Sequence, residues 1–274
     1  MKSSFLVALL LGAGLLAAVL WSETASSPAL ELAFFDVGQG DAVFFETPHG
    51  HQVLIDGGPD TKVLSRLGEV MPFWDKTLDL VVLTHPDADH ITGLVAVFER
   101  YEVENVLWTG RRKDTRVFAA FDAVLKKEGA NVFLAQAGQQ VVLGESGAVL
   151  EILYPQESSD VQQGKSNETS IVARLAYGDR KVLLPGDTTK KIEELLLEAE
   201  KDMKADILKI AHHGSDTSSS REFLEAVASK VAVISVGRDN KFGHPTQDVL
   251  VNLAEYGIKI RRTDREGTIF FYLK

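Results

Sequence analysis

Four apolar runs in this chain each lead into histidine or aspartate, and that recurrence limits the fold more than any other feature. Leu80-Val81-Val82-Leu83-Thr84 runs into His85, and Val182-Leu183-Leu184-Pro185-Gly186 into Asp187. The run from Ile207 to Ala211 leads into His212 and His213, and Ala232 to Val236 leads through a short loop to His244. Ligand-binding groups in α/β sheets gather in the crevice outside the carboxyl ends of the strands. Four such clusters therefore predict one shared site. Five of the seven histidines lie in them, whereas His49 and His51 flank a turn.

The rest of the pattern alternates in the manner of packed α/β layers. Short strands at 30–35, 42–47 and 52–56, punctuated by Gly38-Gln39-Gly40 and Pro48-His49-Gly50, predict an antiparallel meander. A helix over 61–70, a strand over 78–84 and a helix over 90–101 follow, then a strand at 106–109, a helix over 117–127 and a strand at 132–135. The second half repeats the order. Strands near Val141 and over 148–154, 170–177 and 181–185 precede a helix over 189–201, and 170–177 and 181–185 form a hairpin. A strand over 207–211, a helix over 221–229, a strand over 231–236 and a helix over 247–256 come next. Segments 258–262 and 268–273 read as a closing antiparallel pair.

In His85-Pro86-Asp87-Ala88-Asp89-His90 a proline-stiffened loop presents three side chains at alternate positions, and His90 opens a helix. Such a loop can offer ligands to two adjacent metal ions; helix capping by Asp89 alone does not account for two flanking histidines. With no cysteine in the chain, any metal must be held by imidazole and carboxylate, a set suited to Zn²⁺, Mn²⁺ or Fe²⁺, with Asp87 moving it toward Mn²⁺.

A net charge of −10 removes any global attraction to nucleic acid, so DNA contact has to be local. The candidate patches are Arg111, Arg112, Lys113 and Arg116, and Arg261, Arg262 and Arg265, each of which reads more readily as a solvated face. Lys2 followed by the apolar run from Phe5 to Trp21 has the layout of a secretory signal or a short membrane anchor, with residues 22–28 as a polar spacer. The expected organisation is residues 1–29 as leader or anchor and 30–274 as one large domain, placed outside the cytoplasm, secreted or tethered.

Several motifs together carry a resemblance: Asp36-Val37-Gly38-Gln39-Gly40-Asp41-Ala42, Leu54-Ile55-Asp56-Gly57-Gly58, Leu83-Thr84-His85-Pro86-Asp87-Ala88-Asp89-His90, Gly186-Asp187, His212-His213-Gly214-Ser215 and Gly243-His244-Pro245. On these the chain resembles the metallo-β-lactamase-fold hydrolases, and within them the extracytoplasmic domain of ComEC/Rec2 competence proteins. The resemblance implies an α/β, four-layer αββα sandwich holding two divalent ions, Zn or Mn. One position would use His85, Asp87 and Asp187; the other would use Asp89, His90, Asp187 and His244, with Asp187 shared. The family's usual first motif has histidine where Asp87 stands, and its third-motif histidine is replaced by the stretch Asn167-Glu168-Thr169-Ser170.

Asp56 is similar to the family's structural aspartate, which orients ligands without binding metal. Asp89, Asp187 and His213 are the expected catalytic groups, with His213 favoured over His212 as proton donor or phosphate contact. Asn167, His212 and Lys209 are expected around the ligands or against substrate, Gln39 and Asp41 near the site, and Arg238 and Lys241 as phosphate contacts. The implied chemistry is metal-assisted hydrolysis of a phosphodiester, DNA by resemblance, with no covalent protein intermediate. Other esters of the same fold, a choline-phosphate ester or a lactone, and a non-catalytic DNA-receptor module are the competing readings. No other apolar run approaches spanning length, so a membrane channel would have to be a separate partner.

Overall fold

The computed structural model describes residues 29–274, so nearly all of the expected leader or anchor lies outside the described residues. Among those described, no helix is long and apolar enough to cross a membrane. The chain opens with the expected meander: β1 (Leu30–Phe34), β2 (Val43–Glu46) and β3 (Gln52–Ile55) pair antiparallel in order. β4 (Thr77–Leu83), β5 (Glu102–Trp108) and β6 (Asn131–Leu134) then add in parallel. The crossovers are α1 (Lys62–Val70), α2 (Ala88–Phe98) and α3 (Arg116–Glu128). α3 shows how locally these limits are set. The Thr115 hydroxyl accepts from Phe118 N at its start, and Gly129, at φ 76°, takes the left-handed turn at its end.

The second sheet mirrors the first. β7 (Gln140–Leu143), β8 (Ala148–Tyr154), β9 (Val172–Tyr177) and β10 (Arg180–Leu184) are antiparallel; β11 (Ile207–Lys209), β12 (Val231–Ile234) and β13 (Lys259–Arg262) extend it in parallel. α4 (Ser158–Gln163) interrupts the passage from β8 to β9, and α5 (Lys190–Glu198), α6 (Arg221–Val227) and α7 (Gln247–Glu255) are the crossovers. α8 (Thr263–Glu266) then leads to β14 (Ile269–Leu273).

The strand orders are β14-β1-β2-β3-β4-β5-β6 and β13-β12-β11-β10-β9-β8-β7. Period-two alternation sends one set of side chains between the sheets, where Leu32, Phe34, Phe45 and Ile55 meet Leu150, Ile152, Leu175 and Val182. The opposite set packs outward under helices. Ala33, Phe44, Leu54 and Val81 lie with Val63, Leu67, Leu94 and Phe118, and on the second sheet Leu183, Leu208 and Ala232 lie with Ile192, Leu196, Phe223 and Leu253. Each such fully buried valine, leucine, isoleucine or phenylalanine stabilises the fold by about 1.5–3 kcal/mol relative to exposure. Three apolar layers between four structural ones make the expected αββα sandwich.

One expected pairing is wrong. Segments 258–262 and 268–273 are not partners: β13 lies parallel to β12, and β14 lies antiparallel to β1 in the other sheet, with Leu30 opposite Leu273. α8 and Gly267, at φ 73°, carry the chain from one sheet to the other. Alternation tells which residues face a core but not which sheet owns the strand.

Candidate metal centre

The carboxyl ends of β4, β10, β11 and β12 converge, and they bring His85, Asp187, His213 and their neighbours together. The first support is a tight crossing of backbones. The loop after β3 runs against α2 so closely that Gly57 N donates to His90 O at 2.7 Å and Gly93 N to Gly58 O at 3.0 Å. A Cβ on Gly93 would lie 1.9 Å from the Gly57 oxygen, so only glycine allows this approach. Gly40 answers the same need on the other flank, where a Cβ would come 2.2 Å from the Asp89 carbonyl oxygen.

Asp56 organises the histidines from beneath, at a left-handed φ of 60°. It receives Thr84 N at 2.9 Å, Thr84 Oγ1 at 2.7 Å and His90 Nδ1 at 2.8 Å. Since the Thr84 hydroxyl donates to Asp56, His85 Nδ1 donates to Thr84 Oγ1, 3.1 Å away. His213 Nδ1 donates to Ser235 O at 2.9 Å. All three rings are thereby fixed through Nδ1, and their Nε2 atoms are left to face the centre.

Around those nitrogens stand two carboxylates. Asp187 Oδ2 lies 3.2 Å from His90 Nε2 and 3.3 Å from His213 Nε2, and Asp89 Oδ2 lies 3.2 Å from His213 Nε2. Asp89, His90, Asp187 and His213 each bring one donor atom within 4.8 Å of the others. Ligands about 2.0–2.2 Å from a tetrahedral ion are themselves roughly 3.4 Å apart, so the spacing suits a bound cation. His85 Nε2 and His90 Nε2 are buried and lack a hydrogen-bond partner, which a metal bond would supply. The donor set therefore fits a divalent ion held by imidazole and carboxylate.

The charges agree. Burial disfavours the His90 imidazolium, but Asp187 and Asp56 outweigh it and hold the group well above the ordinary imidazole range. His213 behaves alike: burial opposes its charge, and Asp187 and Asp41 prevail. Burial would also raise Asp187, yet His213, His90 and Lys209 bring it well below the usual carboxylate range. A cation is thus stabilised where these rings meet the carboxylates. His85 goes the other way: burial, then the charge of His90, pushes it down to about 3, so its ring is neutral and ready to act as a ligand.

The remaining expected residues fall into place unevenly. Lys209 is buried, and its ammonium meets Asp41, Asp187 Oδ1 at 3.5 Å and Gly186 O at 2.9 Å. It acts as an internal counter-charge rather than a group reaching for substrate. Asp41 is buried beside it, with Oδ1 3.5 Å from His213 Nδ1. Gln39 Oε1 accepts from Gly237 N at 3.1 Å. His244 stands outside that group next to His212, with ring centroids 5.6 Å apart, and His213 takes the place expected of it.

His212 is half-buried, with Nε2 4.0 Å from Asp187 Oδ2 and 3.2 Å from Asn167 Nδ2. Asp87 is drawn aside: Lys113 Nζ sits 2.6 Å from its Oδ1 and Ser166 Oγ also bonds it, leaving Oδ2 3.9 Å from His85 Nε2. Reasoning from the sequence missed Lys113 and Ser166 as neighbours of the site. Lys113 stands in one of the basic patches, but nothing in the pattern aims it at Asp87.

Three arginines of those patches are paired internally. Arg112 meets Asp122 at 2.9 Å, Arg261 meets Glu266 at 2.8 Å, and Arg262 meets Asp264 at 2.7 Å. A cleft of about 500 Å³ is lined by Gln39, Lys62, Arg238 and Asn240 together with Asp36, Asp239 and Asp264, and Lys241 is not among its lining residues.

Comparison with known proteins bears on this geometry. The family profile described as "Beta-lactamase superfamily domain" matches residues 51–217. ComE operon protein 3 of Bacillus subtilis is 31% identical over 265 residues, which cover 89% of this chain and 33% of that protein. Competence protein ComA of Neisseria gonorrhoeae is 32% identical over 244 residues, 87% of this chain and 32% of that one. The chain thus spans about a third of the length of these relatives. Among solved structures, the metallo-beta-lactamase fold protein YhfI from Bacillus subtilis aligns with a TM-score of 0.59 at 13% identity, covering 90% of this chain and all of that one, a likeness of fold alone.

Proposed function

The chain belongs to the β-lactamase superfamily, in the company of ComEC-like competence proteins, and from that premise we propose that it is a metal-dependent phosphodiesterase acting on DNA. The observation that carries this reading is the meeting of His90 Nε2 and His213 Nε2 on Asp187 Oδ2 at 3.2 and 3.3 Å, with Asp89 beside them. Asp89, His90, Asp187 and His213 would hold one ion, and His85 with Asp87 and Asp187 a second, Zn or Mn in either case. Bound there, such ions supply a water activated near neutral pH and neutralise charge developing on the ester.

The protein's own groups divide the remaining work. Asp56 and Ser235 O fix the ring orientations of His90 and His213, and Lys209 balances Asp41 and Asp187 without reaching the substrate. His212 is the group placed to move a proton. Its Nδ1 donates to Thr217 Oγ1 at 3.0 Å, and Asn167 Nδ2 points at Nε2. Burial lowers its basicity, so the ring is neutral at physiological pH and Nε2 can take up and return a proton. His213, bonded on both nitrogens, suits a ligand role better than the proton-donor role expected of it. Arg238 and Lys62, in the cleft beside Gln39, are candidate contacts for phosphates flanking the cleaved bond.

We further propose that residues 30–274 work outside the cytoplasm, secreted or tethered by the N-terminal segment, and that a separate membrane channel is a partner. The apolar run near the N-terminus supports the location by its layout, and the competence relatives, by their names, support a role alongside other components of DNA uptake. A second reading, hydrolysis of a small ester, gains from the −10 charge and the internally paired arginines. The deciding experiment incubates the purified full chain with Mn²⁺ or Zn²⁺ and either plasmid DNA or bis-p-nitrophenyl phosphate, beside Asp187→Ala. Cleavage of both substrates by the wild type, lost at least 100-fold in the variant, supports the DNA phosphodiesterase. Cleavage of the small ester alone moves the assignment to the second reading, and no cleavage of either rejects hydrolysis of phosphodiesters.

A further inference from the structure

One part of the centre is built around a carboxylate that a cation already holds. His85 Nε2 is wholly buried, fixed by its other nitrogen and without a hydrogen-bond partner, while the nearest Asp87 oxygen stays 3.9 Å away. Asp87 occupies the N-cap of α2 but makes no capping hydrogen bond with its side chain. Its Oδ1 is instead held by Lys113 Nζ at 2.6 Å and by the Ser166 hydroxyl.

These partners come from opposite halves of the sandwich, Lys113 from the loop after β5 and Ser166 from the passage between β8 and β9. Arg111 ties the two segments together by donating to Val161 O at 3.1 Å and Gln162 O at 2.9 Å. The ammonium is therefore delivered to Asp87 by a braced loop, not by a free surface side chain.

We infer that Lys113, with Ser166, is a positioning clasp that sets the affinity for a second divalent ion at His85, Asp87 and Asp187. This rests on the metal-centre reading and extends it. The position at Asp89, His90, Asp187 and His213 is already assembled and loads first. With Lys113 and Ser166 on Oδ1, Asp87 offers the second position only Oδ2, 3.9 Å from His85 Nε2, and the ammonium beside that carboxylate opposes a second dication. The two ions therefore bind in separate steps. The clasp makes this chain a one-ion protein at low metal concentration and a two-ion protein at high concentration.

The test uses Mn²⁺ alone as the probe, with bound ions per full chain measured by equilibrium dialysis and elemental analysis across free-metal concentration. The wild type is expected to load one ion and then a second, at concentrations about tenfold or more apart. Lys113→Met should tighten the second step about tenfold, the scale on which groups supporting metal ligands act, and leave the first unchanged. Lys113→Arg should restore the separation, and Ser166→Ala should shift the second step in the same direction as Lys113→Met by less. A second step unmoved by Lys113→Met and Ser166→Ala, or a weakened first step in either variant, overturns the inference while leaving the metal centre standing. A wild type that takes up no Mn²⁺ overturns both. Circular dichroism of each variant identifies any loss of fold, and Lys113→Arg then carries the decision: steps merged despite a retained cation contradict the clasp.

Discussion

Asp56 is the residue on which the site's order rests, since one carboxylate takes three donors and fixes His90 directly and His85 through Thr84. Its left-handed backbone makes asparagine the least disruptive replacement, because asparagine tolerates that conformation and keeps the shape. Asp56→Asn is expected to fold normally and to bind metal about 10–100-fold more weakly, as measured by competition with a chromophoric chelator. Unchanged affinity would show that the aspartate only shapes its turn. The resemblance carried by the combined motifs made this residue legible in the sequence, and the spacing within 85–90 did the same for His85, Asp89 and His90. The commitments of Lys113 and Lys209 were not legible. Lys113 meets Asp87 from 26 positions away and Lys209 meets Asp187 from 22, and such pairs exist only once loops from different strands have been placed.

Strands and their facing were readable from alternation, because a buried strand must send apolar side chains to a core on each face. The misassigned β13 and β14 mark where that signal ends, since both satisfy the same pattern in different sheets. Joins between helices were also hidden. Glu193 on α5 is fully buried and accepts from Ser219 N at 2.5 Å and Ser220 N at 2.8 Å, fastening α5 to the start of α6. Burial raises its carboxyl above the ordinary 4.5, and the donors at Ser220 and Ser219 reverse only part of that rise. Because ionisation is harder in the folded chain, the stability contributed by Glu193 is complete below its unfolded value and is lost as pH rises through its higher folded value. Urea unfolding from pH 4 to 7 should show wild-type stability falling more steeply with pH than that of Glu193→Gln. Parallel curves would place Glu193 ionisation outside the stability balance.

At the scale of the whole molecule the two sheets end at β6 and β7, and there a run of apolar side chains is left exposed. Val132, Phe133, Leu134 and Val142 are 47%, 52%, 60% and 62% exposed on strands with one unpaired edge. Such edges promote pairing between chains, and a lysine blunts them. Leu134→Lys is expected to reduce concentration-dependent light scattering without moving Tm, and scattering equal to wild type would assign association to another surface. The net charge adds no broad attraction for polyanions, so recognition of DNA has to come from local contacts at the centre and in the cleft that holds Lys62 and Arg238. Four polar clusters at strand ends foretold that single centre, whereas its internal division of labour needed three dimensions.

The measurement closest to the central claim is the metal content of the full chain after equilibration with Mn²⁺ or Zn²⁺ and dialysis, for wild type and Asp187→Ala side by side. Asp187 joins His90 and His213 in the assembled group, so the account predicts at least one ion per wild-type chain and a fall of tenfold or more in the variant. Equal metal in both chains, or none in the wild type, would contradict it.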